Sequence, residues 1–579
     1  MPQPPSLYLE TENATEPTLD ETAEKTPVVA RNSNADEGTS GRVLRAAAIL
    51  SVLYALSRFT GLVQLTIVNS LLDKAQASAY VAAFTLPEYM YYLVAGGALS
   101  VTFIPILAQL EEGERNYEAG RFMGALLGVM STVLALLLLV CWVFARPLTL
   151  FFNPGFARPG FEETLNLCVT MTRVMLPAQW FFYVGGLLVA VLNARGKFGA
   201  TGWTGAVYNI VAVSVSVPLW WLLYFLPIHS IKPTSLGATG FAWGILVGAG
   251  VGYLWIPLQA YLALPEEERL PLTPNFDWRQ PAVQTFWKNA LWIMVGVSLP
   301  VMDVPIIKFF ASNFKDAGSI NYMNDAYRVM LAPLSIVAQA ASVAAFPSLS
   351  KNIAAADYQK LADFLRSGLR RLMFLTLPLS ILLMVEARPI ISVMFGYGKF
   401  AKQPEAVPVT ATTFALFCLG LFAWAGQALV ARGFYALQDT STPTKIGSAL
   451  TVGFIILCAF MQRWNIQGLA VATSIGATSH FVCILIALGR RLNGLPYKAK
   501  LGGEQVGGVL LRTGVACLPM AFLGWLTGLL CQARLPGTKL GDLVQLVVVG
   551  IVSVSVFGVS AHVCNIPEWK WLQRKLLRR

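Results

Sequence analysis

Apolar runs of about 20 residues recur along this chain, separated by short polar connections, and each is long enough to cross a bilayer as a helix. Fourteen are predicted, at about 43–70, 77–110, 121–145, 165–194, 202–225, 236–262, 284–312, 319–347, 367–387, 406–431, 444–462, 466–489, 509–531 and 542–562. Residues 1–42 break the pattern. They are rich in Glu, Asp, Thr, Pro and Asn without apolar periodicity, and read as a disordered acidic tail rather than a secretory signal. A basic tail, 563–579, closes the chain.

Composition agrees with the pattern. Of 579 residues, 55% are hydrophobic and 13% charged, with mean hydropathy +0.59, far from a soluble globular balance. The formal net charge of +12 falls mostly in alternate loops, at Arg115 and Arg121, Arg195 and Lys197, Arg269 and Arg279, Lys351 to Arg371, and Arg490 to Lys500. Lysine and arginine mark the cytoplasmic side. Both termini are therefore expected in the cytoplasm of a bacterial plasma (inner) membrane. No soluble basic domain exists to bind nucleic acid. The eight cysteines and three histidines show no metal-ligand or disulfide spacing. No GxxxxGK[ST] stretch suggests ATP use.

The two halves resemble each other. Ala98, Ser100, Val101 and Pro105 match Ala340, Ser342, Val343 and Pro347 at an offset of 242, and Tyr80/Tyr322 and Arg146-Pro147/Arg388-Pro389 share it. "NARGKFGA" at 193–200 resembles "VARGFYA" at 430–436. A repeat of six helices keeps both copies in one orientation, related by an axis along the membrane normal. The expected fold is thus an all-α polytopic membrane protein. It has an N-lobe at 43–262, a C-lobe at 284–491 and two further helices at 509–562. A cavity between lobes, with alternating access by rocking, follows from that geometry.

A charge inside a span costs at least ~2.5–3.5 kcal/mol, so such groups face a cavity or a partner. Arg58, Glu88, Arg173, Asp303, Lys308, Asp325 and Arg328 qualify. Arg58 has no acidic residue within several turns of its own helix, so its partner is another helix or a ligand. Arg328 lies three residues after Asp325, so those two could pair. Lys308 lies near a helix end, from which it could snorkel. Arginine's planar fork suits phosphate.

Several stretches together, "LSRFTGLVQ", "TRVMLPAQ", "LNARGKFGA", "FPSLSK", "MFGYGKF", "ARGFYALQDTSTPTKIG" and "GLAVATSIGA", resemble the MurJ (MviN) lipid II flippase family, in order from about 43 to 495. The resemblance implies a transporter, not an enzyme. Its cargo would be an undecaprenyl-diphosphate-linked peptidoglycan precursor, carried from the inner to the outer leaflet, with possible cell-wall synthesis proteins as partners. It implies that Arg58 and Arg328 bind the diphosphate, with Arg173, Asp325 and Lys308 as further substrate-binding candidates. Asp439, in "QDTSTP", would correspond to an ion-coupling ligand, or would simply cap a helix. No cofactor is expected; a coupling monovalent cation or the membrane potential would drive the cycle. The chain departs from the family at Gln64 and at Tyr91 and Tyr92, where arginines are usual. It departs again at Ser78 and Tyr327, where acids are usual, and at Glu88, where asparagine is usual. Its cavity should be less positive than the family's. Rival readings are an exporter of another polyprenyl-linked glycan, a drug:cation antiporter of the same superfamily, and a non-transporting scaffold for cell-wall synthesis.

Overall fold

The computed structural model describes residues 33–91, 102–112, 116–225, 233–298, 302–335, 358–437, 439, 441–494, 503–535 and 537–577. The acidic tail up to residue 32, Tyr92, and the repeat segments 98–101 and 340–352 lie outside them. Residues 46–579 form one compact unit; residues 1–45 form another, of which 33–45 are described as the start of a helix.

The described residues are helical and contain no strand. The N-terminal half runs through α1 (Ser33–Leu71), α2 (Lys74–Ala83), α3 (Thr85–Tyr91), α4 (Ile104–Glu112), α5 (Asn116–Ala125), α6 (Ser131–Val143), α7 (Ala145–Phe152), α8 (Glu162–Met175), α9 (Ala178–Ala194), α10 (Gly199–Phe225), α11 (Pro233–Ala249) and α12 (Ile256–Leu262). The C-terminal half follows as α13 (Pro281–Ser298), α14 (Asp303–Ser312), α15 (319–335), α16 (Tyr358–Val385), α17 (Ala387–Phe395), α18 (Gly398–Ala401), α19 (Ala406–Cys418), α20 (Leu421–Ala436), α21 (Ser441–Met461) and α22 (Asn465–Asn493). Then come α23 (Gly503–Arg534), α24 (Lys539–Val563) and α25 (Pro567–Leu577).

Helix boundaries carry the repeat. Val143 and Val385 end α6 and α16; Ala145 and Ala387 begin α7 and α17; Ala194 and Ala436 end α9 and α20; Gly199 and Ser441 begin α10 and α21. All four pairs lie 242 residues apart. The "NARG" and "VARG" words do not occupy equivalent places. Arg195 follows the end of α9, whereas Arg432 lies inside α20, because that local match is five residues out of step with the helices.

Eight stretches among the described residues are long and apolar enough to span a membrane, nine if the bent pair α19 and α20 counts as one span. This is fewer than the fourteen expected. The helices bordering the interior are short, interrupted and polar, and parts of others fall outside the described residues. One stretch, Ser441–Asn493, also contains two helices. Asn465 turns the chain with a left-handed φ of 56°. The return brings Gly468 onto Met461 and Gly476 onto Phe454, so α21 and α22 run antiparallel.

Glycines make the tightest helix pair. On α11, Gly240 and Gly244 meet Trp220 and Ala212 of α10, and farther on Gly248 meets Tyr208. The pairing is antiparallel with the glycines on one face, four residues apart. Between α11 and α12, the segment Gly250–Trp255 widens into a π-helical turn.

Packing follows the halves only in part. A cluster including Phe103, Phe122 and Leu187 fills the N-terminal half, and it also takes in Phe286 and Ala290 of α13. A second, around Leu365, Val430 and Leu488, fills the C-terminal half. A third joins both, with Val68 and Tyr80 beside Ile307, Tyr322 and Phe414. Helices α23 and α24 pack on each other and on α16, through Phe374, Cys517, Met520 and Phe557.

Candidate functional site

A cavity of about 340 Å³ lies between the two halves. Helix α1 presents Arg58, Gly61 and Leu65 to it, a spacing of three and four that puts them on one helix face. The Asn209 amide of α10 holds that face in place, donating to the Ser57 carbonyl at 2.8 Å and to the Thr60 hydroxyl at 3.1 Å. An adjoining space of about 240 Å³ shares Arg58, Tyr208, Tyr253 and Arg328.

Three cations and one carboxylate line the main cavity: Arg58 from α1, Lys308 from α14, Arg328 from α15 and Glu88 from α3. Lys308 is only 1% exposed; its ammonium donates to the Val81 carbonyl at 3.1 Å. Arg328 Nε donates to Asn324 Oδ1 at 3.4 Å. Glu88 stands between these two cations, its oxygens 3.7 Å from Lys308 Nζ and 3.9 Å from Arg328. Among the described residues, no carboxylate pairs with Arg58. Tyr91, Phe182, Tyr208 and Tyr253 line the same cavity as an aromatic cluster with ring centroids 4.6–6.0 Å apart.

Gln64 lines the cavity without charge. Its amide donates to the buried Tyr80 hydroxyl at 3.1 Å. Tyr322, the repeat counterpart of Tyr80, donates instead to Gln403 at 2.6 Å.

At one end of the cavity the halves are bolted together. Asn69 Nδ2 and Asn321 Nδ2 both donate to Asp325 Oδ2, at 2.8 and 3.1 Å. The Asn321 backbone amide donates to the Ser78 hydroxyl at 3.3 Å. Farther out, Lys74 Nζ reaches Asp316 at 3.1 Å and Glu405 at 3.2 Å. Gly398, at φ 54°, fits a turn against the Ser70 carbonyl, where a Cβ would come within 2.2 Å.

The structure therefore brings Arg58, Lys308 and Arg328 into one cavity. Asp325 lies behind its wall, fully buried. The Asp325–Arg328 pair allowed by their spacing does not form, because Asp325 turns to Asn69 while Arg328 turns to Asn324 and Glu88. Lys308 does not snorkel; it is buried against Val81. Arg173 is not among the lining residues. Its guanidinium stacks 5.0 Å from the Trp142 ring and donates to the Trp142 carbonyl at 3.1 Å.

Asp439 caps α21. It accepts from the Thr442 amide and hydroxyl at 3.0 and 2.8 Å and faces Arg491 at 3.9 Å. Burial pushes its carboxyl up, but these bonds outweigh that and hold it below the usual carboxylate range. Among the described residues, no three His, Cys, Asp or Glu side chains converge on a metal-sized site. A small cavity of about 50 Å³ in the C-terminal half is lined by Asp303, Thr451, Thr473 and His480. Sequence reasoning missed Asn69, Lys74, Asp316 and Glu405. Asn69 is neutral, Lys74 opens a helix and the two carboxylates lie in turns, and nothing in their spacing signals a partner in the other half.

The family described as lipid II flippase MurJ matches residues 67–537. The lipid II flippase MurJ of Burkholderia cenocepacia is 28% identical over 481 residues, covering 82% of this chain and 89% of that protein. The probable lipid II flippase MurJ of Vibrio cholerae is 26% identical over 449 residues, covering 76% and 81%. Among solved structures, lipid II flippase MurJ in an inward closed conformation superposes with TM-score 0.67 at 18% identity, covering 89% of this chain and 99% of that one. An inward-facing MATE family multidrug resistance transporter of the MOP superfamily gives TM-score 0.58 at 14% identity, covering 79% and 99%. At these identities the structural likeness shows the fold, that of a multi-pass helical membrane protein.

Proposed function

The chain belongs to the lipid II flippase MurJ family, and from that premise we propose that it carries an undecaprenyl-diphosphate-linked peptidoglycan precursor from the inner to the outer leaflet of the bacterial plasma membrane. The observation that carries this reading is the meeting of Arg58, Lys308 and Arg328, from both halves, around one cavity. Their donors suit the oxygens of a diphosphate. The aromatic cluster offers apolar faces with hydroxyl edges beside them. The prenyl tail stays in lipid while the head group crosses, and no covalent bond is made or broken.

With both termini in the cytoplasm, the bolted end of the cavity faces outward. Asn69, Asp325, Lys74 and Glu405 then form an outer seal, and transport requires that it open. A coupling cation finds better chemistry at Asp303, beside the Thr451 and Thr473 hydroxyls, than at Asp439, whose oxygens are occupied in capping.

Complementation tests this reading. A strain depleted of its own flippase should grow when it expresses this chain; no growth despite normal membrane levels of the protein would refute the assignment. A second reading, export of another polyprenyl-diphosphate-linked glycan, is favoured by Gln64 and Glu88, which place one uncharged and one acidic side chain beside the three cations of this cavity. It predicts diphosphate binding without complementation.

A further inference from the structure

We propose that a cavity at the outer end of the C-terminal half binds a short peptide through its C-terminal carboxylate, and that the occupied cavity holds the outer seal shut. Which end is outer, and what the seal does, rest on the transport reading above; the binding itself does not. The cavity is about 450 Å³, within the ~300–1,000 Å³ of small-ligand sites. It is separate from the cavity between the halves, and no residue lines both. Its walls come from α17, the α18–α19 segment and the facing ends of α23 and α24.

Its chemistry fits a peptide end. Arg388 is exposed at one wall, with no hydrogen-bond or ion-pair partner among the described residues. Its repeat counterpart, Arg146, donates to Asn166 at 2.8 Å; the residue 242 positions after Asn166 is Pro408, which offers no side-chain acceptor. Asp542 is already engaged. It accepts from the Ser392 hydroxyl at 2.6 Å, and that hydroxyl accepts from the Lys539 ammonium at 2.8 Å. One positive charge is thus left uncompensated, on a guanidinium whose fork suits a carboxylate. Gln545 is only 4% exposed, yet it lines the cavity with no partner for its amide among the described residues. A buried amide left without a bond is costly, and a ligand peptide group would satisfy it. A carboxamide both donates and accepts, as a peptide group requires, and Gln532 adds a second one. Pro389, Val407 and Leu535 supply aliphatic surface for small side chains, and among the described residues no aromatic ring lines the space for a sugar to stack on.

The same walls reach the seal. Gln403 lines the cavity and accepts from the Tyr322 hydroxyl of α15 at 2.6 Å. Two residues on, Glu405 pairs with Lys74, and Gly398 turns against the Ser70 carbonyl. Residues 396–405 therefore touch both the seal and the cavity. From α24, Lys539 donates to the Ser392 carbonyl at 2.6 Å and fastens that helix to α17, just before this segment. A peptide spanning Arg388, Gln403 and Gln545 adds bonds that exist only while the segment stays seated on Ser70 and Lys74. Binding then favours the closed seal by that difference.

Cys531 lines the cavity and gives the readout. In intact cells, a membrane-impermeant maleimide should label a full chain that keeps Cys531 as its only cysteine. N-acetyl-trialanine should protect that cysteine at about tenfold lower concentration than its C-terminal amide does. No labelling from outside overturns the outer placement, and equal protection by acid and amide overturns the carboxylate site. N-acetylmuramic acid is the sugar probe; stronger protection by it than by the peptide overturns the peptide assignment. Arg388→Gln, at an exposed position, should abolish the difference between acid and amide, and an unchanged difference overturns the site. Gln545→Leu should weaken protection by both about fivefold. With spin labels on the two halves of the full chain in nanodiscs, the acid should raise the ratio of closed to open seal about threefold in wild type and not in Arg388→Gln. Protection of Cys531 without that shift overturns the coupling to the seal. None of these measurements uses growth, so failed complementation refutes the transport reading and leaves the peptide site standing.

Discussion

The Asn69 side-chain amide donates to the buried Asp325 carboxylate at 2.8 Å, tying the first helix of one half to α15 of the other. Asp325 also accepts from Asn321, yet its second oxygen has no partner among the described residues. Removing Asn69 would leave a fully buried carboxylate with one donor fewer. Such a loss costs about 1–3 kcal/mol. Asn69→Ala should therefore lower the thermal unfolding midpoint and loosen the seal. A cysteine placed at Ser319, buried beside it, should then label faster with a membrane-impermeant thiol reagent added from outside. Equal labelling with and without Asn69 would mean that this bond does not hold the outer side shut.

Farther out, Lys74 makes the seal sensitive to pH and salt. Partial burial works against the Lys74 ammonium, but its bonds to Asp316 and Glu405 outweigh that and hold it above its ordinary value. Glu405 is held below its ordinary value, first by its own backbone amide and then by Lys74. The raised ammonium contributes below about pH 10.5 and is lost as pH rises through its folded value. The depressed carboxyl contributes above about pH 4.5 and is lost as pH falls through its folded value. Between these limits the seal should be flat with pH, and below them on the acid side it should weaken. Both side chains are about 40% exposed, so the contribution is modest and screened by salt. Distance measurements between spin labels on the two halves should show a larger open population at pH 4 than at pH 7. Lys74→Gln should remove that difference.

The membrane-span pattern, the 242-residue repeat and the three cavity cations could be read from the sequence because each leaves a local signal. An arginine in an apolar run stands out whatever it touches. Arg173 stood out equally, but its partner is Trp142 on the preceding span, and nothing in the spacing distinguishes stacking on an aromatic ring from facing a ligand. Asn69 and Lys74 left no signal. One is a neutral polar residue and the other a lysine at the start of a helix, and their roles depend on partners more than 200 residues away. Glu88 was visible as a charge, but its place between Lys308 and Arg328 requires three helices to be assembled.

The cavity cations differ from Arg173 in their expected effect. If the proposed binding role holds, Arg58→Ala and Arg328→Ala would each remove charge-assisted bonds to the ligand worth about 1.5–3 kcal/mol, and ligand affinity should fall about 10- to 100-fold. Growth in the complementation strain should be lost in both. Arg58→Lys should retain part of the function, since the charge stays while the fork is lost. Arg173→Ala should support growth, because it alters only a contact with Trp142. Growth with Arg58→Ala at normal expression would remove that residue from the binding site.

Gly244 tests whether α10 and α11 must touch backbone to backbone. A Cβ at Gly244 would lie 2.0 Å from the Ser216 hydroxyl and 2.4 Å from the Ala212 carbonyl oxygen. The hydroxyl can rotate away; the carbonyl belongs to the α10 backbone and cannot yield without moving the helix. Gly248 and Gly240 repeat the constraint within one turn on either side, so the pair cannot pivot around a single bulky residue. Overpacking of this kind costs about 1–3 kcal/mol. Gly244→Ala should lower the unfolding temperature of the purified protein by several degrees, and Gly244→Val by more. The displacement would also reach the cavity, because Tyr208 and Asn209 sit on the same helix. Gly453→Ala, where nothing lies within 4 Å of the added carbon, should leave unfolding unchanged. Equal melting of Gly244→Ala and Gly453→Ala would show that the two helices have room to separate.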